Sequence, residues 1–241
     1  MDGIRLRVSA WRALTLALLV VAVSAWLLQR TLGLGDWYPA AAVGLALLGA
    51  WAVLAYLPGL HPHPRFGAAN VVTLARGVVA ALLGALVVAP TSNGVAAFAT
   101  VAGTLAAVLD AVDGRLARGS GVASKFGARF DMETDALLVL ALAMLAWRWD
   151  RAGAWVLLSG LLRYAFVAAG LVVPWLRRPL PPSRWRQTVC VVQIVLLLAV
   201  IAPLLSPGAS WPLALAGLLV LASSFALDVA WLAGQRGVPW R

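Results

Sequence analysis

The 241-residue sequence predicts an all-α integral membrane protein of about eight transmembrane helices. Hydrophobic residues make up 63% of the chain and mean hydropathy is +0.92, far outside the range of a soluble domain. Apolar runs of about 18–22 residues recur, the length a helix needs to cross roughly 30 Å of hydrocarbon. Turn formers separate the runs: Gly35-Asp36 with Pro39, Pro58-Gly59, Pro90, Asn93-Gly94, Gly153, Pro174 and Pro207-Gly208.

Taken in order, the predicted spans are 11–29, 39–57, 70–90, 94–113, 131–147, 153–174, 188–205 and 211–233. The first follows Arg5, Arg7 and Arg12 and has no clear small-residue cleavage site, so it reads as a retained helix rather than a signal peptide. The second ends at Pro58-Gly59, and the proline-rich stretch with His61 and His63 behind it is an interface loop, too short for a domain. Asn70 opens the third span, and the Pro90–Gly94 break leads into the fourth. The fourth ends, and the fifth begins, in a cluster of acids. The sixth carries Arg163 within its apolar run; the seventh carries the single cysteine, Cys190, read as a buried inert thiol; the eighth carries Asp228. Trp11, Trp37, Trp147, Trp155, Trp185, Trp211 and Trp231 fall near predicted ends, as an interfacial aromatic belt requires.

Charge sets the orientation. With a cytoplasmic N-terminus, 14 of the 19 basic residues fall inside, three outside (Arg30, Arg148 and Arg151), and two, Arg76 and Arg163, within spans. Both termini and the acidic stretch are therefore expected in the cytoplasm. The net charge of +10 follows from this bias and from contact with anionic lipid headgroups. No soluble segment is long enough for a nucleic-acid module, so nucleic acid is excluded as a partner.

Five of the nine acidic residues sit between Asp110 and Asp135. A carboxylate near hydrocarbon costs several kcal/mol unless it is paired, metal-bound or facing a cavity. Asp110 and Asp113 share one helix face at i, i+3, and Asp131 and Asp135 share another at i, i+4. Short links join antiparallel neighbours, so the two pairs are expected to converge from facing helices. Oxygen ligands with no His or Cys nearby favour Mg²⁺, Mn²⁺ or Ca²⁺ over zinc. Such an ion leaves positions for phosphate oxygens, and Arg115, Arg118, Lys125 and Arg129 add cations suited to a diphosphate. Gly114, Ala117 and Gly127 allow a helix or a flat ligand to approach closely. Glu133 lies off the shared face and reads as a bystander meeting solvent or an arginine.

This stretch resembles the signature of the CDP-alcohol phosphotransferases, D-x2-D-G-x2-A-R-x8-G-x3-D-x3-D, at all eight fixed positions: Asp110, Asp113, Gly114, Ala117, Arg118, Gly127, Asp131 and Asp135. The resemblance implies a six-helix core, residues 61–241, preceded by a two-helix membrane extension, residues 1–60. It implies Asp110, Asp113, Asp131 and Asp135 as ligands of one or two Mg²⁺ or Mn²⁺ ions. Asp135 would also be the base that deprotonates the acceptor hydroxyl. Asp113, Gly114, Ala117, Arg118 and Gly127 would shape the nucleotide pocket, and a homodimer in a bacterial-type inner membrane would be the assembly.

Asn70, Thr73 and Arg76 resemble an N-x2-T-x2-R element of the same family and share a helix face, which makes them candidate nucleotide contacts. Arg184 and Arg186, with Gln193 beyond, are loosely similar to a basic segment of glycerol-phosphate-accepting members, with the spacing off by a residue. Arg177 and Arg178 read as headgroup contacts. Arg163 either binds an acceptor phosphate or pairs with Asp228. Lys125, Arg129, Arg163, Arg184 and Arg186 are thus the candidate acceptor-binding residues.

The expected activity transfers a phosphatidyl group from CDP-diacylglycerol to a small polar alcohol, glycerol 3-phosphate and inositol phosphate among the candidates, with release of CMP. The alternative within the family passes a phosphoalcohol from a small CDP-alcohol to diacylglycerol. A divalent-cation transporter is the rival from another class. Transporter sites lie near the bilayer midplane on broken helices, whereas these aspartates sit at helix ends.

Overall fold

The computed structural model describes residues 2–120 and 124–235; the side chains of residues 2, 58, 111–120 and 207 lie outside the description. The described chain is helical throughout: α1 (Asp2–Leu32), α2 (Trp37–Leu60), α3 (Ala68–Ala85), α4 (Asn93–Ser120), α5 (Lys125–Arg148), α6 (Leu158–Val172), α7 (Arg184–Ile201) and α8 (Pro207–Gly234). Short 3₁₀ turns flank α3 and α6. In hydrocarbon a helix satisfies its own backbone, and no other open structure does.

Helix limits follow local chemistry. Gly33, with φ of 64°, ends α1 in the left-handed conformation a glycine adopts without strain. Serine side chains cap three starts: Ser92 accepts from the Val95 N–H of α4 (3.2 Å), Ser124 from Gly127 of α5 (2.9 Å) and Ser183 from Arg186 of α7 (3.4 Å). Arg177, expected at lipid headgroups, instead donates to the carbonyls of Gly170 and Leu171 at the end of α6. A cation there satisfies orphan carbonyls and meets the negative end of the helix dipole.

Seven of the eight helices are long and apolar enough to cross a membrane; α5, with Asp131, Glu133 and Asp135 near its start, is not among them. Other helices cover it: α5 packs on α2, α3, α6 and α7 through buried Leu138, Leu142 and Leu145 with Ala141, Ala143 and Ala146 between them. The large exposed side chains elsewhere, such as Leu48, Trp51, Leu171 and Leu219, are apolar, as a lipid-facing surface requires.

The expected meeting of acids from α4 and α5 is found for the described residues, Asp110 with Asp131 and Asp135. Both helices make their main described contacts with α3 and α7, which pack on each of them. The acidic segments of α4 and α5 therefore meet with α3 as the common neighbour.

The N-terminal hairpin is tied to the rest of the bundle at both ends. Tyr38, fully buried, donates to the Leu82 carbonyl of α3 (3.1 Å). Leu6, Leu14, Val53 and Leu57 form one apolar cluster with Phe66 and Phe126. His61, which the sequence places in an interface loop, is buried; its Nδ1 bonds the Ser124 hydroxyl (3.1 Å) and its Nε2 the Arg65 carbonyl (2.8 Å). The loop thereby braces the start of α5.

At Gly160 of α6 a Cβ would come within 2.6 Å of the Leu140 Cα, so this glycine sets the α5–α6 separation. Gly160→Ala is expected to lower stability by about 1–3 kcal/mol through overpacking. Gly49→Ala, where nothing lies within 4 Å of the added carbon, is the matched control and should be neutral or slightly stabilising. Thermal unfolding of the two variants in one detergent checks this; equal midpoints would show that the α5–α6 seam yields freely.

Candidate active site

Asp110 lies within α4, which continues to Ser120; Asp131 and Asp135 lie one turn apart in the first half of α5, and Arg76 two turns into α3. The Arg76 guanidinium, 0% exposed, reaches all three carboxylates. Its Nη1 lies 2.8 Å from Asp110 Oδ1 and 2.5 Å from Asp131 Oδ1, and its Nη2 pairs with Asp135 Oδ1. The acids remain partly open, at 27%, 38% and 21% side-chain exposure, so a ligand can reach them. Arg76, expected at the nucleotide, is thus the hub of the carboxylates. Sequence spacing gave no hint of this, because every acid it meets lies on another helix.

Asp110, Asp131 and Asp135 each offer an oxygen within 4.8 Å of the others, a donor set that can hold a metal ion. Three hard oxygen donors suit Mg²⁺ or Mn²⁺. Asp113, Gly114, Ala117 and Arg118 fall on the helical backbone of α4, but their side chains lie outside the described residues.

Asn70 and Thr73 are buried. Asn70 donates to the Phe66 carbonyl, and Thr73 to that of Ala69 (3.1 Å). Gly127 faces Asn70: a Cβ there would come within 2.9 Å of Asn70 Oδ1. The glycine therefore lets α3 and α5 close together beneath the acid cluster.

A cavity of about 640 Å³ opens from the aspartates between α5, α6, α7 and α8. Asp131 and Asp135 stand on one wall, and Arg163, Arg186, Gln187 and Asp228 on others. Arg163 Nη2 donates to Glu133 Oε1 (2.7 Å), and Arg186 Nη1 to Asp228 Oδ1 (2.8 Å). The sequence left Arg163 with Asp228 as an option; the structure pairs each with another partner, because Glu133 points from α5 toward α6 while Asp228 of α8 meets the start of α7. Glu133, off the aspartate face as expected, holds the arginine rather than the cluster.

The other candidate acceptor residues are spread out. Lys125 and Arg184 are exposed at the starts of α5 and α7. Arg129 stacks over the Tyr56 ring of α2, 5.1 Å from its centroid. Among the described candidates, Arg163 and Arg186 are the two that line the cavity.

Two more α7 residues line the cavity: Cys190, read from sequence as a buried inert thiol, and Gln193, named there beside Arg184 and Arg186. Cys190 lines the cavity with its sulfur 3.9 Å from Asp135 Oδ2. Gln193, buried one turn deeper, donates to the Ser159 hydroxyl of α6 (3.0 Å). Their signal was the i, i+4, i+7 spacing of Arg186, Cys190 and Gln193 on α7.

No curated protein and no solved structure matches the chain. A family model described as CDP-alcohol phosphatidyltransferase matches residues 66–228, more than half of the sequence, and its span takes in Arg76, all of the signature positions and Asp228. On that match, which covers the helices that bring the acid cluster and the cavity together, the chain belongs to the CDP-alcohol phosphatidyltransferase family.

Proposed function

We propose that this enzyme transfers a phosphatidyl group from CDP-diacylglycerol to a small polar alcohol and releases CMP. The observation that carries the choice of direction is the polar far wall of the cavity, where Arg163, Arg186, Gln187 and Asp228 face the space beside Asp131 and Asp135. A diacylglycerol acceptor would press its apolar body on those charges, which burial without compensation disfavours. A small hydroxylated acceptor matches them.

In this reading residues 61–241 are the catalytic core and residues 1–60 an addition that braces it. The signature end faces the cytoplasm, supported by the steep bias of basic residues toward that side. Asp113, Gly114, Ala117 and Arg118 hold the nucleotide, with Asn70, Thr73 and Gly127 shaping the adjoining helix seam. Asp110, Asp131 and Asp135, together with Asp113, would hold a divalent ion, Mg²⁺ or Mn²⁺, which would supply charge neutralisation for the diphosphate.

Asp135 is the base. Its Oδ1 is engaged by Arg76, and its Oδ2 lies on the cavity side near Cys190. The acceptor oxygen bonds the β-phosphorus, the bond from that phosphorus to the oxygen shared with CMP breaks, and the hydroxyl proton passes to Asp135. An alcohol is a poor nucleophile until its proton is taken during attack, so the base must stand where the acceptor enters.

Purified protein with labelled CDP-diacylglycerol, Mg²⁺ or Mn²⁺ and a panel of alcohols is expected to release CMP only with both metal and an acceptor. Asp135→Asn should lower kcat by about 10²–10⁴; near-wild-type turnover would remove the base assignment. CMP release from a small CDP-alcohol in the presence of diacylglycerol, and none from CDP-diacylglycerol, would reverse the direction.

The paired arginines report the acceptor's charge. For an anionic acceptor, Arg186→Gln is expected to raise the acceptor KM roughly tenfold, the loss of one charge-assisted hydrogen bond. Asp228→Asn, which releases Arg186 from its partner, should leave that KM unchanged or lower it. A neutral acceptor would respond weakly to both substitutions, so KM measured for glycerol 3-phosphate and inositol side by side separates the cases.

A further inference from the structure

We infer that Arg76 is a built-in counter-cation: it aims the three carboxylates before any metal arrives, and it competes with the divalent ion for them. The inference rests on the reading that these aspartates hold such an ion. Arg76 contributes chemistry of another kind, because it belongs to neither acidic helix.

Geometry comes first. One nitrogen of the guanidinium, Nη1, bridges Asp110 of α4 and Asp131 of α5, while Nη2 takes Asp135. A planar fork holds its carboxylates in fixed directions, which the rotatable point charge of a lysine does not impose. The acids stay 27%, 38% and 21% exposed while they pair with it, so a ligand can still approach them.

Charge comes second. Three ionised carboxylates with oxygens within 4.8 Å repel one another strongly in a site screened from water. With Arg76 the three described carboxylates and the guanidinium together carry −2, a charge that still attracts a divalent ion. Without Arg76 the cluster carries −3, and the acidic segments have no internal reason to stay together. The same +1 that holds the acids also repels an incoming cation, so the arginine supports the metal-free fold and weakens metal affinity together. A buried charge stripped of its partner is strongly destabilising, which makes Arg76 a positioning residue and not a spare cation.

The test uses full-length protein in detergent, with two readouts that do not involve turnover: the unfolding midpoint in chelator and in saturating Mn²⁺, and Mn²⁺ affinity from the EPR signal of free ion. Arg76→Met is expected to lower the chelator midpoint more than the Mn²⁺ midpoint and to tighten Mn²⁺ binding about tenfold or more. Arg76→Lys should keep affinity near wild type, since it keeps the charge, while losing part of the chelator midpoint. If Arg76→Met does not fold in chelator, Arg76→Met with Asp110→Asn returns the cluster to −2 and should recover the midpoint; no recovery would overturn the charge argument. Equal loss of both midpoints with unchanged or weaker Mn²⁺ binding would make Arg76 a packing residue and sink the proposal. Wild-type protein that binds no Mn²⁺ would overturn the metal reading itself and the competition with it, an outcome distinct from metal binding that is indifferent to Arg76.

Discussion

A guanidinium with no solvent exposure stands on α3 where two other helices bring three carboxylates together, and much of the molecule can be understood as what is needed to keep it there. A lone arginine on α3 would be untenable among Leu74, Gly77 and Val78, and three clustered aspartates would be untenable without it. Each half makes the other tolerable. This mutual dependence fixes the register of α3 against both α4 and α5, because a shift of one residue would turn Arg76 by about 100° around its helix axis and away from the acids. Gly127, which gives up its side chain to Asn70, permits the close α3–α5 approach that the ion pairs require.

The bracing around this junction is layered. Ser124 caps α5, His61 bonds Ser124, and Phe66 and Phe126 pack with α1 and α2 beneath them. The N-terminal hairpin therefore supports the start of the helix that carries two of the three aspartates, although it contributes no acid of its own to the cluster. A two-helix addition in that position stiffens the site from outside, where lipid would otherwise lie against α3.

Much of this was legible from sequence. Helix number, many boundaries and the convergence of Asp110 with Asp131 and Asp135 follow from apolar run length, proline and glycine breaks, and the spacing of the acids, all of which are local properties. The partners of charges were not legible, because they depend on how helices distant in sequence are arranged. Arg76 meets acids 34 to 59 residues away, and Asp228 meets Arg186 rather than Arg163. The fifth span, expected at 131–147, is found as α5; its acids set it apart from the seven more apolar helices, and four helices enclose it. Apolar length reports contact with lipid, whereas α5 is buried by protein.

The same logic of shared charge extends to the acceptor side of the cavity, and there it has the opposite consequence. Arg163 and Arg186 each carry one acid, so neither is an unpaired cation inside the membrane. An arginine offers five donors, and a single carboxylate occupies only part of that fork. Pairing with Glu133 and Asp228 therefore orients the two guanidinium groups across the cavity and leaves donors for a ligand. The acids also moderate the positive potential, so that charge alone does not select the acceptor. In the proposed reading, selection would fall to hydroxyl geometry against the polar side chains of α6 and α7, with Gln193 and Ser159 lining the cavity. One buried arginine gathers acids where charge must be concentrated, and two paired arginines disperse it where a small alcohol must be positioned rather than trapped.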